Sequence, residues 1–249
     1  MIDKSQRIGI TETSDPAFHL EIFDKLYDAN IIVTKSLTLK LIDKLVEHKE
    51  KCILHLTVTG YGGTVLEPFV PPLLASARNL ERLLKKGFPV EQVVLRIDPI
   101  IPTEKGIKKM CDVVRLFFPY NIPRIRFSIL DMYKHVKDRF SEANLPNPYE
   151  TFHAPLVDRL KVLKTLEELR DKLGGSFTIE ACGEPDMEKT PCISQKDVDI
   201  LGLTDKIILE GSKEQRSHCG CPGNKSQLIT GKPHRCSNQC LYCFWKDDK

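Results

Sequence analysis

Two hydrophobic periods alternate along the chain. Short β-rich runs, RIGIT, NIIVTK, CILHLTVTG, VVLRIDPII, RIRFSIL, FTIEACG and a weaker DKIILEG, predict strands, the third with Cys52, Leu54, Leu56 and Val58 on one face. Between them lie FHLEIFDKLYD, LKLIDKLVEH, PLLASARNLERLLKKG, EKGIKKMCDVVRLF and APLVDRLKVLKTLEELRDKLGG, whose apolar residues recur at three and four and predict helices. In the last of these, Leu156, Leu160, Leu163, Leu166, Leu169 and Leu173 form one stripe and Gly174 is a stop signal. Such alternation predicts an α/β fold of βαβ units on a parallel sheet. Six or seven units predict a TIM-like (β/α) barrel, full or partial, with right-handed crossovers carrying the strands round in order.

After residue 211 neither period continues. GSKEQRSHCGCPGNKSQLITGKPHRCSNQC cannot bury an apolar core by itself, so it is either disordered or organised by something inorganic, and its cysteines favour the second. The expected organisation is a barrel over 1–211 with a cysteine-rich, cluster-binding extension over 212–249 packed on it as one structural unit.

Polar residues gather at the carboxyl ends of the predicted strands, where parallel sheets place function: Thr34 and Lys35, the segment from Thr59 to Glu67, Arg96 and Asp98, Asp131 and Tyr133, Glu180 and Cys182. In TVTGYGGTVLEP, Gly60, Gly62 and Gly63 either let the backbone approach a ligand closely or form a tight turn into the next helix. Arg96 and Asp98 either pair with each other or leave Arg96 to grip a carboxylate bidentately.

The chain's 249 residues suit one sizeable domain, and 37 basic against 34 acidic residues create no global field toward nucleic acid or membrane. MIDKSQRIGITETSD lacks the basic start and apolar core of a signal peptide, and no apolar run approaches the ~18 residues of a membrane span, so a cytoplasmic protein without a membrane partner is expected. In that reducing compartment nine cysteines argue for metal or redox chemistry over disulfides. Cys52 and Cys111 read as core thiols, and the other seven lie from Cys182 onward.

Cys236, Cys240 and Cys243 stand in the spacing CxxxCxxC, with the aromatic Tyr242 directly before the last. A structural zinc takes four closed ligands, whereas three cysteines on a cubane 4Fe-4S cluster leave one iron open. That open iron is what the amino and carboxylate groups of S-adenosylmethionine chelate in radical chemistry; half of a zinc ribbon is the alternative. Cys182, Cys192, Cys219 and Cys221 remain, the number that fully ligates an auxiliary 4Fe-4S cluster, with a structural zinc or unligated thiols as alternatives.

CSNQCLYCFW resembles the cluster motif of the radical S-adenosylmethionine superfamily, and TGYGGTVLEP resembles its glycine-glycine-glutamate segment. With the cysteine motif closing the chain, LTVTGYGGTVLEPFVPP, LRIDPIIP, FSILDMYKHVKDRF and QRSHCGC are similar to the family known as domain of unknown function 1848. The resemblance implies that Cys236, Cys240 and Cys243 ligate a 4Fe-4S cluster, that Tyr242 packs near the adenine of S-adenosylmethionine, and that Gly62, Gly63 and Glu67 bind its amino group. Cys182, Cys192, Cys219 and Cys221 match cysteines that recur in the family. Lys35, Arg96 and Asp98 are cofactor-site candidates by position alone. The activity implied is reductive cleavage of S-adenosylmethionine to a 5′-deoxyadenosyl radical, fed by a donor such as flavodoxin or ferredoxin. A nucleotide or nucleic-acid base is the favoured substrate, because the superfamily includes a thymine-dimer repair lyase and because Lys213, Arg216, Lys225, Lys232, His234 and Arg235 make the tail locally basic. A peptide or small amine, or a non-catalytic zinc-stabilised nucleic-acid-binding role, is the alternative.

Overall fold

The computed structural model describes residues 4–212, 219–230 and 236–245. Strands β1 (Ile8–Ile10), β2 (Ala29–Thr34), β3 (Cys52–Thr57), β4 (Val93–Ile100), β5 (Arg124–Ile129), β6 (Thr178–Ala181) and β7 (Lys225–Gln227) form one parallel sheet in the order β6-β5-β4-β3-β2-β1-β7. The first six neighbour one another in chain order, as the βαβ pattern predicts. The sheet is open: β6 and β7 stand at its edges, and no closed barrel forms among the described residues.

The crossovers carry α1 (Leu39–Glu47), α2 (Leu73–Lys85), α3 (Glu104–Phe117), α4 (Lys134–Glu142) and α5 (Leu156–Lys172); a short α6 (Gln195–Ile200) follows β6. Thr38 and Thr103 cap α1 and α3 by accepting the N–H groups of Leu41 and Gly106. Apolar faces of α1, α2, α3 and α5 meet Cys52, Leu54, Leu56, Leu95, Ile125 and Phe127 in the main core, where each fully buried aliphatic side chain stabilises by about 1.5–3 kcal/mol. Cys52 is fully buried there and Cys111 is half-buried against it. On α5 the buried face runs through Val162, Leu166 and Leu169, while Leu156 and Leu160 are exposed, so the leucine stripe is not the packed face throughout.

The other sheet face bears Ile8, Ile10, Ile31, Ile53 and Val94. It is covered by α6 and its flanks, with Cys182, Cys192, Cys219 and Cys221 inside this second core. Charges are buried on the same side: Arg124 pairs with Asp197 at 2.7 Å and Arg126 with Glu180 at 2.6 Å.

Three sequence expectations fail for local reasons. FHLEIFDKLYD forms 3-10 turns, Pro16–Phe18 and Leu20–Lys25, because its N–H groups bond three residues back (Phe18 to Asp15, His19 to Pro16, Ile22 to His19). DKIILEG is not a strand, since amide side chains take its backbone groups: Gln6 accepts from Ile208 N–H, and Asn224 bonds Ile208 C=O and Glu210 N–H. The seventh strand comes from the segment after 211, where Ile8, Gly9 and Ile10 pair with Lys225, Ser226 and Gln227. The sheet itself therefore organises part of the extension. Among the described residues no helix is long and apolar enough to cross a membrane.

Candidate functional site

A cavity of about 220 Å³ opens at the carboxyl ends of the strands. Its wall includes Thr34 and Lys35 after β2, Thr57 of β3, Arg96 and Asp98 of β4, Ser128 of β5, and Asp131 and Tyr133 beyond it. Both cysteine groups reach it, Cys182, Cys192 and Cys219 from one side and Cys236, Cys240 and Cys243 from the other.

The loop carrying Cys236, Cys240 and Cys243 turns twice, with Gln239 N–H bonded to Cys236 C=O at 2.9 Å and Cys243 N–H to Cys240 C=O at 3.2 Å. Distant elements fix it. Arg139 of α4 donates to the carbonyls of Cys243 and Trp245, both at 2.7 Å, and His135 donates to Phe244 C=O at 2.8 Å. Asn238 donates to Asp15 at 2.7 Å and accepts from Ser36 at 2.8 Å, while Asp15 also holds Thr34 and the Lys35 N–H at the end of β2. Cys240 and Tyr242 pack among Tyr61, Val70, Ile101 and Leu130.

Under this loop lies a buried polar network. Lys35 Nζ donates to Glu67 at 2.8 Å, to Tyr242 at 3.1 Å and to Asp98 C=O at 3.1 Å, and stands 5.2 Å from the centre of the Tyr242 ring. Tyr242 and Thr59 both donate to Glu67, which is 1% exposed. Burial disfavours the Lys35 ammonium, but the Glu67 carboxylate and Cys240 outweigh it and hold Lys35 above its usual range. Burial pushes the Cys240 thiol up to about 12, with Lys35 opposing, and also raises Cys243. A bound metal would deprotonate both.

The glycines lie behind the network and do not line the cavity. Gly60 and Gly63 adopt φ of +80° and +76°, and a Cβ on Gly62 would run into the Pro71 carbonyl. The loop they form still touches the cysteine loop, because Leu241 N–H donates to Leu66 C=O at 3.0 Å. Gly62→Ala is expected to cost about 1–3 kcal/mol through overpacking, read as a lower midpoint in urea unfolding at unchanged slope. Arg96 pairs with Asp98, which also accepts from Ser128, so of the two sequence alternatives the structure contains the ion pair.

The second cysteine group is also assembled. Cys182 and Cys192 sulfurs are 3.5 Å apart, and Cys221 hydrogen-bonds with both Cys192 and Cys219. Hydrogen bonds from Cys182 and Cys221 hold Cys192 well below the usual thiol range, with Arg96 and Arg126 adding to the effect. Beside them Glu12 pairs with Lys225, and burial, then Cys192, raises its carboxyl to about 7. Lys225 is thus 4% exposed and committed to Glu12, not available to an incoming phosphate. Lys213, Arg216, Lys232, His234 and Arg235 lie outside the described residues.

Sequence reasoning missed Glu12, Asp15, Ser36, His135, Arg139 and Asn238. Of these only Asn238, inside CSNQC, carried a local signal. It also missed His153, bonded to Asp131 at 2.8 Å beside the cavity.

Over residues 13–245 the chain matches the family described as domain of unknown function (DUF1848). It belongs to that family. No curated protein matches the chain. Among solved structures, an O-GlcNAc hydrolase mutant from Thermobaculum terrenum aligns at 12% identity and a TM-score of 0.29, over 89% of this chain and 40% of that one. The chain therefore spans 40% of that protein's length, and so low a likeness carries no functional argument.

Proposed function

We propose that the protein is a radical S-adenosylmethionine enzyme of the cytoplasm. The observation that carries this reading is the convergence of Cys236, Cys240 and Cys243 on a cavity at the strand ends, above the buried Lys35–Glu67–Tyr242 network. Three thiols on one pinned loop suit a 4Fe-4S cluster with one iron left for substrate. A cluster held there and reduced by a donor such as flavodoxin or ferredoxin would supply the electron that splits S-adenosylmethionine into methionine and a 5′-deoxyadenosyl radical. Arg139 and Asn238 keep the three sulfurs facing the cavity by holding their loop's backbone and side chains. Tyr242 and Lys35 orient the Glu67 carboxylate, and Lys35 sets a buried positive charge beside Cys240. Anaerobically purified, reconstituted and reduced protein is expected to release 5′-deoxyadenosine from S-adenosylmethionine, slowly and without a second substrate. A protein that is colourless near ~400 nm and yields none would return the loop to a zinc-stabilised, non-catalytic role.

For the second substrate, Tyr133, Phe244 and Trp245 on the cavity wall favour a planar ring, such as a nucleotide or nucleic-acid base. Trp245→Ala is expected to weaken nucleotide binding roughly 5- to 150-fold, the equivalent of ~1–3 kcal/mol of stacking, measured by fluorescence or calorimetry at low salt. If no nucleotide or oligonucleotide binds at low salt, a peptide or small amine takes its place.

A further inference from the structure

We propose that Cys182, Cys192, Cys221 and Glu12 bind a single divalent ion of the zinc type in the cavity wall, in place of a second four-iron cluster. Spacing carries the inference. Ligands at about 2.3 Å around one tetrahedral metal put sulfurs ~3.8 Å apart, whereas one cysteine on each corner iron of a cubane puts them roughly 6 Å apart. Here Cys182 and Cys192 stand at 3.5 Å, and donor atoms of Glu12, Cys192 and Cys221 all lie within 4.8 Å of one another. Glu12, Cys192 and Cys221 are gathered to the scale of one ion, and Cys182, in contact with Cys192 but outside that triad, closes on the ion as its fourth ligand.

The fold also builds Glu12 into the site. Glu12 follows β1, and β7 pairs alongside, bringing Lys225 and Gln227 onto it: Gln227 donates to Glu12 Oε2 at 2.9 Å and accepts from the Glu12 N–H at 3.2 Å. Its carboxylate is oriented on its backbone side before any metal arrives, as ligands of metal sites are. Three thiolates and a carboxylate carry four negative charges against the ion's two. Arg96, Arg126 and Lys225 surround Cys192 and offset the excess. Cys219, bonded to Cys221, is left to tune that ligand. Soft thiolates with one carboxylate are a zinc ligand set.

Metal analysis of anaerobically purified wild type and of the Cys236→Ala, Cys240→Ala, Cys243→Ala triple variant tests this, together with zinc-edge X-ray absorption. One zinc per chain is expected in both proteins, with three sulfurs at about 2.3 Å and one oxygen at about 2.0–2.2 Å. Glu12→Gln is expected to lose zinc to a chelator at least about 10-fold faster. About eight irons in wild type and about four in the triple variant, without zinc, would place a cubane on the second group and overturn the proposal. Four sulfurs with no oxygen would remove Glu12, and a triple variant free of zinc and iron would remove the site. The absorption measurement on wild type stands even if Glu12→Gln fails to fold.

Discussion

Replacing Cys236, Cys240 and Cys243 together by Ala is expected to abolish 5′-deoxyadenosine formation, a loss of at least about 1000-fold, because under the proposed function the reductive step would belong wholly to the cluster those thiolates would hold. The fold should survive. The loop is anchored through the carbonyls of Cys243, Phe244 and Trp245, the Leu241 N–H and the Asn238 and Tyr242 side chains, and none of those contacts uses a thiol. Far-ultraviolet circular dichroism and the urea midpoint of the triple variant check this. Cys111→Ala serves as the control, since that thiol packs at the edge of the helical core away from the cavity, and its yield should stay within about twofold of wild type. The measurement is product quantitation after reduction with excess S-adenosylmethionine. Unchanged product from the triple variant would sink the proposed function.

Arg139 offers a milder version of the same test. It holds the loop through the carbonyls of Cys243 and Trp245, so its loss loosens the three sulfurs without removing one. This separation between ligands and the groups that aim them explains what the sequence could disclose. CxxxCxxC is a local pattern, legible because three donors on one short segment already define a ligand set. The position of that segment over the strand ends depends on Arg139, Asp15 and Leu66, remote residues with no shared motif. Glu12 was illegible for the same reason, because its neighbourhood with Cys192 and Cys221 exists only after β7 has paired with β1.

Strands β1 to β6 were legible from their apolar runs. Strand β7 was not, since Lys225, Ser226 and Gln227 have no apolar signal and join the sheet through backbone pairing alone. Helix α4 was missed because KHVKDRFSE has only Val136 and Phe140 to bury, too few to display a period. In RIRFSIL the alternation of Arg with apolar residues is the same whether the polar face meets water or buries ion pairs. The structure buries it, and both Arg124 and Arg126 are fully covered.

That burial leads to a large expected effect on stability. Arg126 donates through Nε at 2.9 Å and Nη2 at 2.6 Å to one oxygen of Glu180, and through Nη1 to Cys192 C=O at 3.2 Å. With Arg126→Met, the Glu180 carboxylate, 8% exposed, loses the guanidinium that donates to it twice, a change worth about 3–5 kcal/mol. For a chain of this length that corresponds to a fall in Tm of roughly 6–20 °C. The cost belongs to the stranded carboxylate more than to the lost attraction, since a buried ion pair gains little over well-packed apolar groups once desolvation is counted. Adding Glu180→Leu to Arg126→Met should therefore restore most of the loss. Thermal and urea unfolding of the two single variants and the double variant decide the matter. A double variant no more stable than Arg126→Met would mean that Arg126 acts through Cys192 and the cysteine group above it, and the ion-pair account of this core would have to be given up.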